Sequence, residues 1–200
     1  MARYNNSRLI PVALVLIIVA IAIAALVSLS RAIFFSGRTT TTTQGDVSQS
    51  ELLNTAADRA VRMTVRGRIV ADEDFRSYQI TASSSSRTFV TYTGYLDTQI
   101  NQVALGNNIP AYEEFVYALN RANLDKGTEL SGAQNDTRGI CATGQLYKFE
   151  VLKANKSIKT LWTSTCKGST GSLDAIVTQL ASLFTTQIPN GRSLISKIEL

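Results

Sequence analysis

Residues 139–168 read GICATGQLYKFEVLKANKSIKTLWTSTCKG, and the chain's two cysteines, Cys141 and Cys166, stand near the two ends of this stretch. Between them Tyr147, Phe149 and Val151 alternate with more polar neighbours, and Ile158, Thr160 and Trp162 repeat the pattern. Alternation of period two predicts two strands, at 145–153 and 156–165, joined at Ala154 and Asn155. A two-residue turn pairs Lys153 with Lys156, Val151 with Ile158, Phe149 with Thr160 and Tyr147 with Trp162. Parity then places both cysteines on the predicted core face, at the open end of the hairpin. Cys166 faces Thr143 in this register, and Gly139 and Gly144 leave room for the bend that would join the sulfurs. The competing readings are two buried free thiols or a zinc site. A chain without histidine and with only two cysteines supplies zinc poorly. A Cys141–Cys166 disulfide is therefore the expectation.

Outward from the hairpin, the sequence predicts an α+β fold: a single domain of antiparallel sheet with helices packed on it. Ser48 and Glu51 resemble a capping box, and Leu53, Ala57, Ala60, Val61 and Val65 recur at helical spacing up to Gly67. Short strands are expected at 68–71, 78–82 and 88–93, with a serine loop at 83–86. A helix is expected at 95–105, and a second begins with Pro110 in its first turn and buries Tyr112, Phe115, Val116 and Leu119. Residues 128–138 read as a loop with a short strand. Leu173, Ile176, Val177, Leu180, Leu183 and Phe184 predict a last long helix, closed by Pro189, Asn190 and Gly191. The ending SLISKIEL, 193–200, reads as an edge strand.

Ahead of the domain, residues 9–30 read LIPVALVLIIVAIAIAALVSLS, uncharged throughout and bracketed by Arg8 and Arg31. A helix of that length crosses a hydrocarbon core of about 30 Å. The run is longer than the apolar part of a cleaved signal peptide, although Ser28 and Ser30 offer small residues ahead of a cut. The expected organisation is a short cytoplasmic tail at 1–8, a transmembrane helix at 9–30, a juxtamembrane threonine-rich linker at 31–46, and an extracytoplasmic α+β domain at 47–200. Arginines flank both ends of the run, so charge alone does not orient it. The disulfide does, because such a bond belongs to an oxidising compartment.

The basic pI of 9.4 belongs to the same region. Four of the 20 basic residues, Arg3, Arg8, Arg31 and Arg38, precede Thr39, whereas all 15 acidic residues follow it. The domain is thus nearly neutral, and nucleic-acid binding loses its main support. Without histidine, Ser-His-Asp and Cys-His chemistry is excluded. Ser164 and Lys167 form an S-x-x-K string, but Cys166 interrupts it and no companion motif accompanies it. Asp72, Glu73 and Asp74 lack the ligand spacing of a calcium loop and read as a solvated turn. Glu113 and Glu114 diverge around a helix and read as its wet face. Asn135 (NDT) and Asn155 (NKS) are sequons in expected turns.

The resulting expectation is a membrane-anchored, extracytoplasmic, non-catalytic domain for binding or envelope assembly, with the membrane and a protein or glycan as partners and no cofactor. The alternative is a histidine-free envelope hydrolase whose pocket would gather some of Asp72, Asp74, Asp97, Glu129, Asp136 or Lys167.

Overall fold

A computed structural model describes residues 49–200, which fall within the compact unit Gln44–Leu200. The apolar run 9–30 and the linker 31–46 lie outside the described residues. Among the described residues, no helix is long and apolar enough to cross a membrane.

The described residues form an α+β domain built on one antiparallel sheet. Its strands are β1 (Arg59–Arg66), β2 (Arg76–Ser83), β3 (Ser86–Thr93), β4 (Thr98–Gly106), β5 (Leu146–Lys153) and β6 (Lys156–Ser164), in the order β4-β3-β2-β1-β5-β6. Helices α1 (Ile109–Arg121), α2 (Val177–Thr186) and α3 (Gly191–Ile195) complete it.

The central strand corrects the sequence reading. Among the described residues, helix continues only to Leu52 where a helix running to Gly67 was expected, and Arg59–Arg66 is β1, buried on every second residue. The segment RAVRMTVR alternates strictly, and Val61, Met63 and Val65 stand opposite Val151, Phe149 and Tyr147 on one side and Ala82, Ile80 and Tyr78 on the other. Burial between two neighbouring strands outweighs a chance helical spacing of alanine and valine.

The expected helix at 95–105 is likewise a strand, β4. It lies at the sheet edge with mostly exposed residues, so its alternation is faint. Residues 68–71 form no strand and lead into a 3-10 turn, Asp72–Asp74; the short strand expected within 128–138 is replaced by a 3-10 turn, Gly132–Asn135. The C-terminal helix begins at Val177 rather than near Leu173, because Ser172 and Leu173 instead donate their amides to Trp162 O at the sheet edge, at 2.9 and 3.1 Å. The final segment is not a strand: α3 occupies its start.

β2, β3 and α1 fall where the pattern placed them. Asn108 caps α1 by accepting from Ala111 N at 2.9 Å, and Tyr112, Phe115, Val116 and Leu119 are buried.

The cysteine hairpin forms with a one-residue change of register. Ala154 and Asn155 both take left-handed backbone conformations, with φ of 48° and 63°, as a tight two-residue hairpin turn requires. Lys153 pairs with Lys156, but a bulge at Ile158 then sets Val151 opposite Lys159 and Phe149 opposite Leu161. Leu161 therefore takes the core-face position expected of Thr160, and Trp162, opposite Lys148, moves to the other face and stays buried at 4% exposure.

One face of the sheet carries the core. Val61, Met63, Val65, Ile80, Phe89 and Phe149 pack there against Phe115, Val116, Leu119, Leu180 and Phe184 of the helices. Phe184 sits at the junction, its ring 5.2 Å from Phe115 and 5.9 Å from Phe149. The helices thus cover one face; on the other, Leu146, Glu150, Leu152 and Trp162 are also buried, while Thr64, Arg66, Gln79 and Tyr92 stay partly exposed.

Candidate functional site

On the face away from the helices, strand pairing assembles two cross-strand rows. One runs Lys148, Thr64, Gln79 and Val90; the next runs Leu146, Arg66, Ser77 and Tyr92. These rows, Val90 excepted, floor a cleft of about 450 Å³. Its rim adds Tyr95 and Asp97 from the turn after β3, and Thr137 and Arg138 from the loop before Cys141. An apolar end of about 300 Å³ continues from it along Ile69, Phe75 and Ile140, sharing Arg66, Tyr95 and Arg138 with the polar part.

Each wall has a local cause. The turn from β3 to β4 is shaped by Gly94, with φ of 73°, and by Asp97, with φ of 52°. Asp72 accepts from Tyr95 N at 2.7 Å, fixing that turn to the acidic 3-10 turn. Tyr95 then both donates to Val70 O at 2.7 Å and accepts from Val70 N. Asp72 is therefore a structural acceptor, and the run Asp72–Asp74 is a turn as its spacing implied.

The opposite wall hangs from the disulfide. Cys141 and Cys166 are bonded, with their Cα atoms 5.3 Å apart. Cys141 adopts a left-handed φ of 58° and accepts from Gly144 N at 3.4 Å, which turns the chain into β5. Gly144 is required at that point: a Cβ there would collide with Thr165 Oγ1 and lie 2.9 Å from Cys141 Sγ. Contrary to the parity expectation, neither cysteine joins the main hydrophobic cluster: the bulge at Ile158 reverses the faces of β6 ahead of Cys166, and Cys141, buried at 7% exposure, sits in a left-handed turn before β5 rather than in the strand. The bond instead ties the loop bearing Thr137, Arg138 and Ile140 to the end of β6. Ile69 N, donating to Ala142 O at 2.9 Å, holds the same loop from the other side.

Charge within the cleft is unevenly committed. Arg138 forms a hydrogen-bonded ion pair with Asp136, and the guanidinium beside it holds the Asp136 carboxyl down to about 2. Lys148 lies 3.6 Å from Glu150, a buried carboxylate that also accepts from Arg62 Nε at 2.7 Å. Arg66 instead lies over the Phe75 ring, 5.0 Å from its centroid, and Phe75 is stacked on Tyr95 at 4.2 Å. Among the described residues, no carboxylate pairs with Arg66. Partial burial, followed by the nearby Asp97 charge, pushes the Tyr92 phenol up.

The other residues singled out from sequence are dispersed. Glu129 accepts from Thr160 N at 2.7 Å on the β6 edge, and Ser164 donates to Ser169 O at 2.7 Å while Lys167 is exposed. Only Asp97 of the expected hydrolase set lines the cleft, with Asp72 and Asp136 fixing its walls. Glu113 and Glu114 are exposed on α1, and Asn155 is exposed at the hairpin tip. Among the described residues, no cluster of three metal-ligating side chains occurs. Arg66, Gln79, Tyr92 and Tyr95 were not anticipated. Their signal was the polar series Arg62, Thr64 and Arg66, visible only once 59–66 is a strand. No known family model and no curated protein matches the sequence.

Proposed function

We propose that the chain is a single-pass membrane protein whose disulfide-bonded domain lies outside the cytoplasm and binds an envelope component through the cleft, without catalysis. The carrying observation is the cleft itself: a sheet face left free by the helices, floored by side chains of four strands and walled by a disulfide-tied loop. Its size and its mixture of tyrosine, guanidinium and hydroxyl groups suit a ligand held by many weak contacts. The membrane location rests on the uncharged run 9–30, and the compartment on the disulfide. A hydrolase would need a second carboxylate or a nucleophile facing Asp97. The other charged groups lining the cleft are cations.

Two measurements on the full chain test this reading. A reporter fused after Leu200 that is active only outside the cytoplasm should be active; cytoplasmic activity would refute the location. Detergent-solubilised protein should co-sediment with insoluble envelope material, and Tyr92→Ala should release it. Equal retention of that variant would refute the cleft as the binding surface.

A further inference from the structure

We infer that the cleft takes an anionic sugar polymer, with the Arg66 guanidinium as the contact for its carboxylate or phosphate groups. The inference rests on the binding role proposed above and adds the chemistry of the ligand.

Arg66 carries the charge argument. Of the three cations lining the polar cleft, Arg138 and Lys148 already face carboxylates, and Arg66 has none among the described residues. A guanidinium offers five donors in a plane, suited to two-pronged contact with carboxylate or phosphate. Phe75 lies beneath that group and Tyr95 stacks on Phe75, so its position is set before any ligand arrives. Pre-set donors lose less freedom on binding. Arg66 also lines both the polar and the apolar parts of the cleft, where a passing chain would meet it from either side.

A sugar polymer fits better than an acidic peptide because of where the cleft lies. Its floor is made by β5, β1, β2 and β3, each hydrogen-bonded to strands on both sides. Their backbone groups are used in the sheet, so strand addition, a common mode of holding extended peptides, is closed here. Recognition falls to side chains: Thr64 and Gln79, partly exposed and joined by a 3.2 Å hydrogen bond from Gln79 Nε2 to Thr64 Oγ1, offer hydroxyl and amide groups beside the rings of Tyr92 and Tyr95. Hydroxyl-rich rings with apolar faces match such a mixture.

The test uses full-length protein in micelles of a neutral detergent, with binding followed by biolayer interferometry on four immobilised polymers. Polygalacturonate carries carboxylates, phosphomannan carries phosphates, dextran is neutral, and poly-L-glutamate is an acidic peptide. Binding to one or both anionic polysaccharides should exceed binding to dextran by about tenfold or more, and which of them binds tells carboxylate from phosphate. Arg66→Gln should weaken it about tenfold, and Arg66→Lys should recover part of the loss. Arg121→Gln, on the far helix, should leave it unchanged. Near-ultraviolet circular dichroism checks that each variant is folded. Equal affinity for dextran, with Arg66→Gln without effect, would overturn the anionic assignment while leaving a glycan-binding cleft. Poly-L-glutamate binding as tightly as the polysaccharides would overturn the sugar assignment. Absence of binding to all four would overturn the inference, whereas the binding role itself is judged separately by envelope retention and Tyr92→Ala.

Discussion

Replacing both cysteines, as Cys141→Ser with Cys166→Ser, tests how much of the fold depends on a single covalent tie. The bond links residues 25 apart in sequence. Closing a loop of that length lowers the entropy of the unfolded chain enough to stabilise the domain by about 3.5 kcal/mol at 25 °C. For a domain of this size, each kcal/mol moves Tm by about 2–4 °C, so the double variant should melt about 7–14 °C lower. Its unfolded chain is also less confined, and the denaturant slope m should rise slightly. Thermal and urea unfolding of the oxidised protein and the variant, followed by far-ultraviolet circular dichroism, measure both. Envelope retention should fall as well, because Cys141 anchors the loop that supplies Thr137 and Arg138. A Tm within about 2 °C of the parent, well below the expected shift, or two free thiols in the denatured, unreduced protein, would refute the reasoning.

Three further outcomes are expected. Ala154 holds a left-handed φ of 48° at the hairpin tip, so Ala154→Gly should raise the urea midpoint by the equivalent of about 1 kcal/mol; no rise would mean the turn carries no strain. At Gly171, φ is 75° and an added Cβ would collide with Trp162 O, so Gly171→Ala should cost more than about 2 kcal/mol, against about 1 for Gly139→Ala, where φ is similar and the space is open. Burial holds the Tyr78 and Tyr112 phenols well above the ordinary 10.0. The folded state then keeps protons that the unfolded state releases, so their stabilisation is complete below pH 10 and is lost as pH rises beyond it. Tyr112→Phe should move the alkaline unfolding midpoint upward, and an unchanged midpoint would refute this assignment.

Legibility followed burial. Where strands or helices bury mainly one side, as in β2 and α1, the sequence shows its period plainly, and the structure repeats it. β4 is an exposed edge strand, so only its alternate positions Val103 and Leu105 are partly buried, and hydrophobicity alone does not separate strand from helix there. β1 failed for a different reason: Ala57, Ala60, Val61 and Val65 satisfy a helical spacing, while Val61, Met63 and Val65 satisfy a strand. The choice depends on partners 88 residues away, such as Glu150 opposite Arg62. The hairpin's register escaped by one residue, since a bulge at Ile158 has no marker such as glycine. That error reversed the faces of Leu161 and Trp162 but left the cysteine pairing intact. The candidate site was hidden by the β1 error, for its floor is made of the residues that point away from the core.

The strand order also carries a kinetic consequence. Among the described residues, four of the five strand pairings join neighbours in sequence, and the β1–β5 pairing alone connects distant segments. Two locally assembled halves, a four-stranded meander and the cysteine hairpin, must therefore meet along a single seam. Docking at that seam bears most of the loop-closure cost and should set the refolding rate. Because both cysteines belong to the second half, oxidation can precede docking without trapping a wrong topology. The same seam is where the chain would best tolerate being divided into two complementing fragments, with the break between α1 and β5.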